Sequence, residues 1–222
     1  MRRVLVAASS GISASDWICR ALSSSLPDSD IELYQLGQNP TLTKSINELN
    51  LKSKALEWSG KERRSEINEA LDSADHLLLF WDSRTLTQLL FHARLRGIPT
   101  KLFVIEVAEV VNKDRGDEFD VYIGRGSLWG NPFPVGKLEG QHERAESIEM
   151  YRAHFEKNIL GDPSMRRGLL GLRGLRLACH CKPLACHGDV IAGYLNSLDP
   201  DSLNSEQLKR RASAASQESP AK

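Results

Sequence analysis

The sequence has no run of about 18 or more apolar residues, the length a membrane-crossing helix needs, so no membrane-spanning role is expected. The apolar segment behind Arg2 and Arg3, residues 4–8, is too short for the core of a secretory signal and reads as a first strand. Charge of one sign is also missing. Lys plus Arg and Asp plus Glu each number 29, which gives a formal charge of zero and no general pull toward nucleic acid or an anionic surface. Net charge leaves room for nucleic acid held by a local basic patch. Cysteine is scarce at four residues, and three of them crowd into positions 179–186 instead of being spread as a disulfide framework would be. A reducing, cytoplasmic setting is therefore expected. The glycine patterns G-x-G-x-x-G and G-x-x-x-x-G-K-[ST] are absent, so dinucleotide and P-loop triphosphate sites of the usual form are not supported. The H-x-E and P-C-x-x-C pair of zinc-dependent base deamination is missing, as is the C-x-x-C of thioredoxin-like redox chemistry. No internal repeat occurs.

What is present reads as an α/β protein. Residues 4–8 form a strand and residues 16–26 a helix with Trp17, Ile18, Ala21, Leu22 and Leu26 on one face. Residues 31–36 alternate as a strand, and residues 38–59 carry mixed signals. A helix over 62–73 leads to residues 76–81, a nearly continuous apolar strand of the kind covered on both faces. A helix over 85–96 and a strand over 101–107 follow. Alternation of this kind predicts a Rossmann-like parallel sheet over residues 1–112, with its ligand crevice at the carboxyl ends of the strands. Ser9, Ser10, Gly11, Asp82, Ser83, Arg84 and Thr85 would line that crevice, and Ser10 and Asp82 are taken as ligand-binding candidates.

A second, smaller α/β domain is expected over 119–198. Its loop Tyr122-Ile123-Gly124-Arg125-Gly126-Ser127-Leu128-Trp129-Gly130-Asn131-Pro132-Phe133 is dense in glycine and aromatics. Glycines let the backbone turn sharply or approach a ligand, and an arginine beside a tryptophan and an asparagine suits a phosphate or carboxylate joined to a flat ring. Residues 142–160 read as an amphipathic helix with Ala145, Ile148, Tyr151, Phe155 and Ile159 inward and with His142 and His154 solvated. Residues 175–181 then form a short strand, whose period of two puts Cys179 and Cys181 on one face and His180 on the other. Pro183 stops the strand, and helical spacing of Val190, Ile191, Tyr194, Leu195 and Leu198 places Cys186, His187 and Gly188 at a helix start. Free N–H groups there, with Lys182 nearby, favour a thiolate or a bound anion, while Asp189 suits a helix cap. After residue 198 the composition turns to Ser, Ala, Lys, Arg and Glu, and a disordered tail over 199–222 is expected.

The first half resembles the Rossmann-like superfamily that includes the SLOG nucleotide-binding domains and the nucleoside deoxyribosyltransferases. The likeness lies in the order of elements, in Ala74-Asp75-His76-Leu77-Leu78-Leu79-Phe80-Trp81-Asp82 and in Arg96-Gly97-Ile98-Pro99; Ser9-Ser10-Gly11 stands where SLOG proteins carry a glycine-rich loop. The second half resembles the family catalogued as domain of unknown function 4326. That likeness rests on Tyr122-Ile123-Gly124-Arg125, Trp129-Gly130-Asn131-Pro132-Phe133, a helix with Tyr151, then Leu177-Ala178-Cys179, Cys181-Lys182-Pro183 and Cys186-His187-Gly188-Asp189. The resemblance implies an aromatic residue at the position of His180, which makes His180 the weakest site candidate of the cluster, and it implies no activity.

Three functional readings follow. In the first, the protein binds or processes a nucleotide, nucleoside or nucleic-acid-derived ligand. Tyr122, Gly124, Arg125, Trp129, Asn131 and Lys182 hold the ligand, His187 or Asp189 acts as general acid or base, and Cys181 or Cys186 serves as a nucleophile, as in a hydrolase or transferase. In the second, Cys179, Cys181 and Cys186, with His187 or a water, hold zinc in a binding module for ligand sensing or protein interaction. Against it, the spacing differs from paired C-x-x-C knuckles, and the adjacent Cys186 and His187 are expected to have difficulty meeting one ion. In the third, the cluster is structural, since free cysteine is among the most buried residue types.

Overall fold

The computed structural model describes residues 1–26, 30–136 and 138–201. The described residues divide into two compact units, one made of Met1–Ala8, Ala14–Phe103 and residues 198–201, the other of Ser9–Ser13 and Val104–Ser197. Most of the expected tail, from residue 202 on, lies outside the described residues.

The first unit alternates strand and helix: β1 (Arg2–Ala8), α1 (Ser15–Ser23), β2 (Ile31–Leu36), α2 (Pro40–Glu48), β3 (Ser53–Leu56), α3 (Arg64–Asp72), β4 (His76–Trp81), α4 (Thr87–Leu95) and β5 (Thr100–Val104). The five strands form one sheet in the order β3-β2-β1-β4-β5, with β1 parallel to both β2 and β4 and β2 parallel to β3. A parallel sheet needs helices on its faces, which is why the central strands are apolar on both sides. Leu5, Leu77, Leu79 and Phe80 are fully buried, while β3 at the edge is exposed along most of its length. Within the mixed stretch 38–59, Asn39 caps α2 by accepting from the Leu42 N–H at 3.0 Å, and Pro40 sits in the first turn, where its missing N–H costs nothing. Among the described residues no helix is long and apolar enough to cross a membrane.

The second unit holds β6 (Glu109–Asn112), β7 (Val121–Tyr122), α5 (Arg144–His154), α6 (Pro163–Leu170), β8 (Arg176–Cys179) and α7 (His187–Ser197). Its sheet is parallel in the order β6-β8-β7, with Asn112 opposite Cys179 and Tyr122 opposite Ala178. Residues 109–112, grouped with the first half in the sequence reading, are thus an edge strand of the second sheet. The helix read over 142–160 is α-helical from Arg144 to His154 and π-helical over Phe155–Leu160. Tyr151, Phe155 and Ile159 are its buried side, as expected, whereas Ala145 is exposed and Ser147 takes the inner position. Asn196 of α7 clasps Ala108, accepting from its N–H at 2.8 Å and donating to its carbonyl at 3.0 Å.

In the first unit, Arg3 on β1 meets Asp75 just before β4 through its backbone N–H at 2.9 Å and its guanidinium at 2.7 Å. Those bonds hold the Asp75 carboxyl down from its ordinary 3.8 to about 2. A depressed carboxyl contributes stability that is present above 3.8 and lost as the pH falls toward 2. Asp75→Asn is therefore expected to be less stable than the parent in urea near neutral pH, with the gap closing between 3.8 and about 2. A gap independent of pH would show that the pair does not act through its charge.

Candidate functional site

The strand β8 delivers Cys179 and His180 to opposite sides, and the corner into α7 brings Cys186 and His187 back against the first of these. Cys186 stands one residue before α7 and acts as its cap. Its Sγ accepts from the Gly188 N–H at 3.2 Å, and the Asp189 carboxylate reaches back to the Cys186 N–H at 2.9 Å, a capping box with sulfur in the place of a hydroxyl. Lys182 ion-pairs with the other oxygen of Asp189. Gly188 lets the helix come close: a Cβ there would lie 2.7 Å from Ile123 Cδ1 and 3.0 Å from Val110 Cγ1.

His187 is 5% exposed. Its Nε2 lies 2.9 Å from the Ile123 carbonyl, which can only accept, so Nε2 carries the proton and Nδ1 keeps its lone pair. That Nδ1 lies 3.6 Å from Cys186 Sγ and 4.0 Å from Cys179 Sγ. Burial holds the imidazole below its ordinary pKa, against the pull of the Ile123 carbonyl, and favours the neutral ring. The Tyr151 ring packs edge-on against it with centroids 4.9 Å apart, and burial pushes the Tyr151 phenol up.

The three thiols share protons. Cys181 is held well below the ordinary thiol range because it accepts from Cys179 and from Cys186 and lies beside the Arg144 guanidinium. Cys179 is pushed up by its bond to Cys181, and Cys186 by its bonds to Cys179 and Cys181, with the Gly188 N–H opposing. These directions favour the thiolate at Cys181, the one half-buried thiol of the three. At 1% and 5% exposure, Cys186 and His187 are out of reach of a dissolved substrate, and the Asp189 carboxylate is engaged in capping. The expected conflict between Cys186 and His187 does not arise, because the corner turns both ligand atoms to one point.

Other expected ligand groups have internal tasks. Trp129 is 8% exposed, with the edge of its ring against Gly168 and its carbonyl accepting from the Tyr151 hydroxyl at 2.8 Å. Asn131 accepts from the Phe133 N–H at 2.9 Å and donates to Ser147 Oγ at 2.9 Å, which latches the loop to α5. Asp82 accepts from the N–H groups of Arg84 and Thr85 at 2.9 and 2.8 Å and so shapes its own turn. Ser10 is exposed in the turn after β1.

On the other side of β8 the structure gathers Tyr122, Gly124 and Arg125, named from the sequence as ligand groups, with His180, ranked weakest there, and with Asp114 and Lys113, which the sequence did not single out. His180 Nδ1 lies 2.8 Å from Asp114, and its Nε2 lies 3.0 Å from the Tyr122 hydroxyl. A carboxylate only accepts, so in the neutral ring the phenol donates to Nε2. Gly124, without a Cβ, leaves room for the Tyr122 hydroxyl over the loop, and Lys113 Nζ sits 5.0 Å from the Tyr122 ring centroid. Arg125 is exposed, and among the described residues its guanidinium has no hydrogen-bond or ion-pair partner. Asp114 is 66 residues from His180 in the chain, so only the fold reveals that pair.

Asn131→Ala removes two bonds from a half-buried latch and is expected to lower stability by about 1–3 kcal/mol. Urea unfolding checks this. An unchanged midpoint would return Asn131 to the role of a free ligand-binding group.

Residues 109–197 match the family described as Domain of unknown function (DUF4326). The chain is also similar to the "Uncharacterized 12.4 kDa protein in nrdA-td intergenic region" of Enterobacteria phage T4, at 44% identity over 102 residues that make up 46% of this chain and 90% of the phage protein. The cysteine corner, the Tyr122 loop and the sheet that joins them all fall inside the matched residues, and the chain belongs to the family of this domain of unknown function.

Proposed function

We propose that the domain over residues 109–197 binds a small anionic ligand of nucleotide type on the exposed side of β8, with Arg125 as its anchor. The observation that carries this reading is an exposed guanidinium with no partner among the described residues, on a glycine turn beside the hydrogen-bonded chain Tyr122–His180–Asp114. A guanidinium fork matches phosphate or carboxylate with two parallel bonds, and Lys113 adds a second cation at the Tyr122 ring. Gly126, at φ +91°, has open space where a side chain would stand, so the backbone there can be approached closely. The Tyr122 and His180 rings, 5.7 Å apart and edge-on, give a flat group something to pack against.

A ligand of the same class suits the first unit. Its strand order is that of the parallel halves that bind nucleotides at strand carboxyl ends, a likeness of topology that accords with the resemblance to SLOG domains. The four cysteines are unpaired, which fits a reducing, cytoplasmic setting.

The test is a thermal-shift screen of the full chain against nucleoside mono-, di- and triphosphates, nucleosides and inorganic phosphate, followed by calorimetry on any ligand found. Arg125→Ala is expected to weaken binding roughly tenfold or more, the worth of a charge-assisted bond, and to leave the melting temperature of the free protein unchanged. Failure of every nucleotide to raise the melting temperature, or equal affinity in Arg125→Ala, would overturn the proposal.

A further inference from the structure

We infer that Cys179, Cys181, Cys186 and His187 form a zinc site on the buried side of β8, independent of the Arg125 surface. The ligand atoms of Cys179, Cys186 and His187 all lie within 4.8 Å of one another. Tetrahedral zinc, with bonds of about 2.3 Å to sulfur and about 2.0–2.1 Å to nitrogen, requires separations of roughly 3.6 Å between sulfur and nitrogen. The observed distances from His187 Nδ1 are 3.6 Å to Cys186 Sγ and 4.0 Å to Cys179 Sγ. These three donors therefore need only a small contraction to close on an ion.

The surroundings are those a zinc ligand set requires. His187 presents the nitrogen that faces the sulfurs as a lone pair, because its other nitrogen is committed to the Ile123 carbonyl at 2.9 Å, the outer bond that fixes a metal-binding imidazole. Cys186 Sγ receives the Gly188 N–H at 3.2 Å, and N–H groups of this kind steady a metal-bound thiolate. Cys181 lies outside that close group of three, but its thiol interacts with those of Cys179 and Cys186, and a turn of its side chain toward them would make it the fourth donor. Three thiolates and one imidazole around a dication leave one negative charge, and the Arg144 guanidinium lies beside Cys181 to meet it. Thiolate-rich donors of this kind select zinc over magnesium, calcium or manganese. With Cys181 as the fourth donor, protein groups fill the tetrahedron, the mark of a structural site.

The full chain, grown with zinc and purified without chelator, is expected to hold about one zinc by elemental analysis, and its cobalt form to show thiolate-to-cobalt charge transfer with tetrahedral visible bands. Cys186→Ser and His187→Ala should bring the metal content close to zero, while Cys19→Ser, a cysteine of the other unit, should keep it whole. Should the buried variants fail to fold, Cys181→Ser at the half-exposed position gives the answer: a folded protein whose zinc affinity is down roughly tenfold or more. A folded parent protein that carries no metal and takes up neither zinc nor cobalt would overturn the inference, as would undiminished zinc in Cys181→Ser or Cys186→Ser.

Discussion

The hydrogen bond from His187 Nε2 to the Ile123 carbonyl, 2.9 Å long and buried, sets most of what this domain can do. It ties the first turn of α7 to the exit of β7, and it decides which ring nitrogen is protonated. With Nε2 committed, the lone pair of Nδ1 has one direction to point, toward the sulfurs of Cys186 and Cys179. The bond exists only because Gly188 allows the helix to lie against Ile123 and Val110; any side chain there would push it away. Helix position, tautomer and cluster chemistry are therefore one constraint with three consequences.

Around that constraint, the end of β8 separates two kinds of polar group. On the buried side, leaving a donor or acceptor without a partner costs about 1–3 kcal/mol, and the groups there are tied in: the Cys186 N–H to Asp189, the Gly188 N–H to sulfur, His187 to a carbonyl. On the other side the economics of stability differ. The His180 and Asp114 side chains are 45% and 60% exposed, and an ion pair in such a place is worth about 0–1 kcal/mol. So small a gain leaves little stability reason for a carboxylate, an imidazole and a phenol aligned in water beside an arginine with no partner among the described residues. The ligand proposed above gives that arrangement a task.

Most strands and helices of the first unit, α2 and β3 in the mixed stretch 38–59 excepted, were readable because each is an apolar run or stripe bounded by polar punctuation, as in residues 76–81 between Asp75 and Asp82. β6 was not, since Glu109-Val110-Val111-Asn112 is four residues long and pairs with a strand that begins at Arg176. The cysteine corner was visible as a knot of reactive types, and the alternation of Cys179 and His180 followed from strand geometry. What the corner does with its atoms was not visible. Adjacent residues at a strand-to-helix turn bring their side chains to one point only through a specific backbone path, so the pairing of Cys186 with His187 came from the fold. Asn131 and Trp129 looked like ligand groups by residue type, yet Ser147 and Gly168, inconspicuous in the sequence, absorb them. His180 was discounted for facing away from the thiols, and the same orientation brings it to Asp114.

The domain also has a structural reason to concentrate its polar bonds at this corner. Its sheet has strands of four, two and four residues, too short for ladder bonds alone to fix the layers. The phage relative, at 12.4 kDa, has room for about one such unit and not for both, so a domain of this size must hold itself together. A cross-link between Cys179 and His187 closes a loop of only a few residues, and loop-closure entropy from so short a span is small. The gain from an ion here would come from electrostatics instead. Two buried thiols and a buried imidazole, with the half-buried Cys181 at their edge, have only few and weak S–H bonds with which to satisfy one another. A single dication between Cys179, Cys186 and His187, as inferred above, would satisfy those three at once.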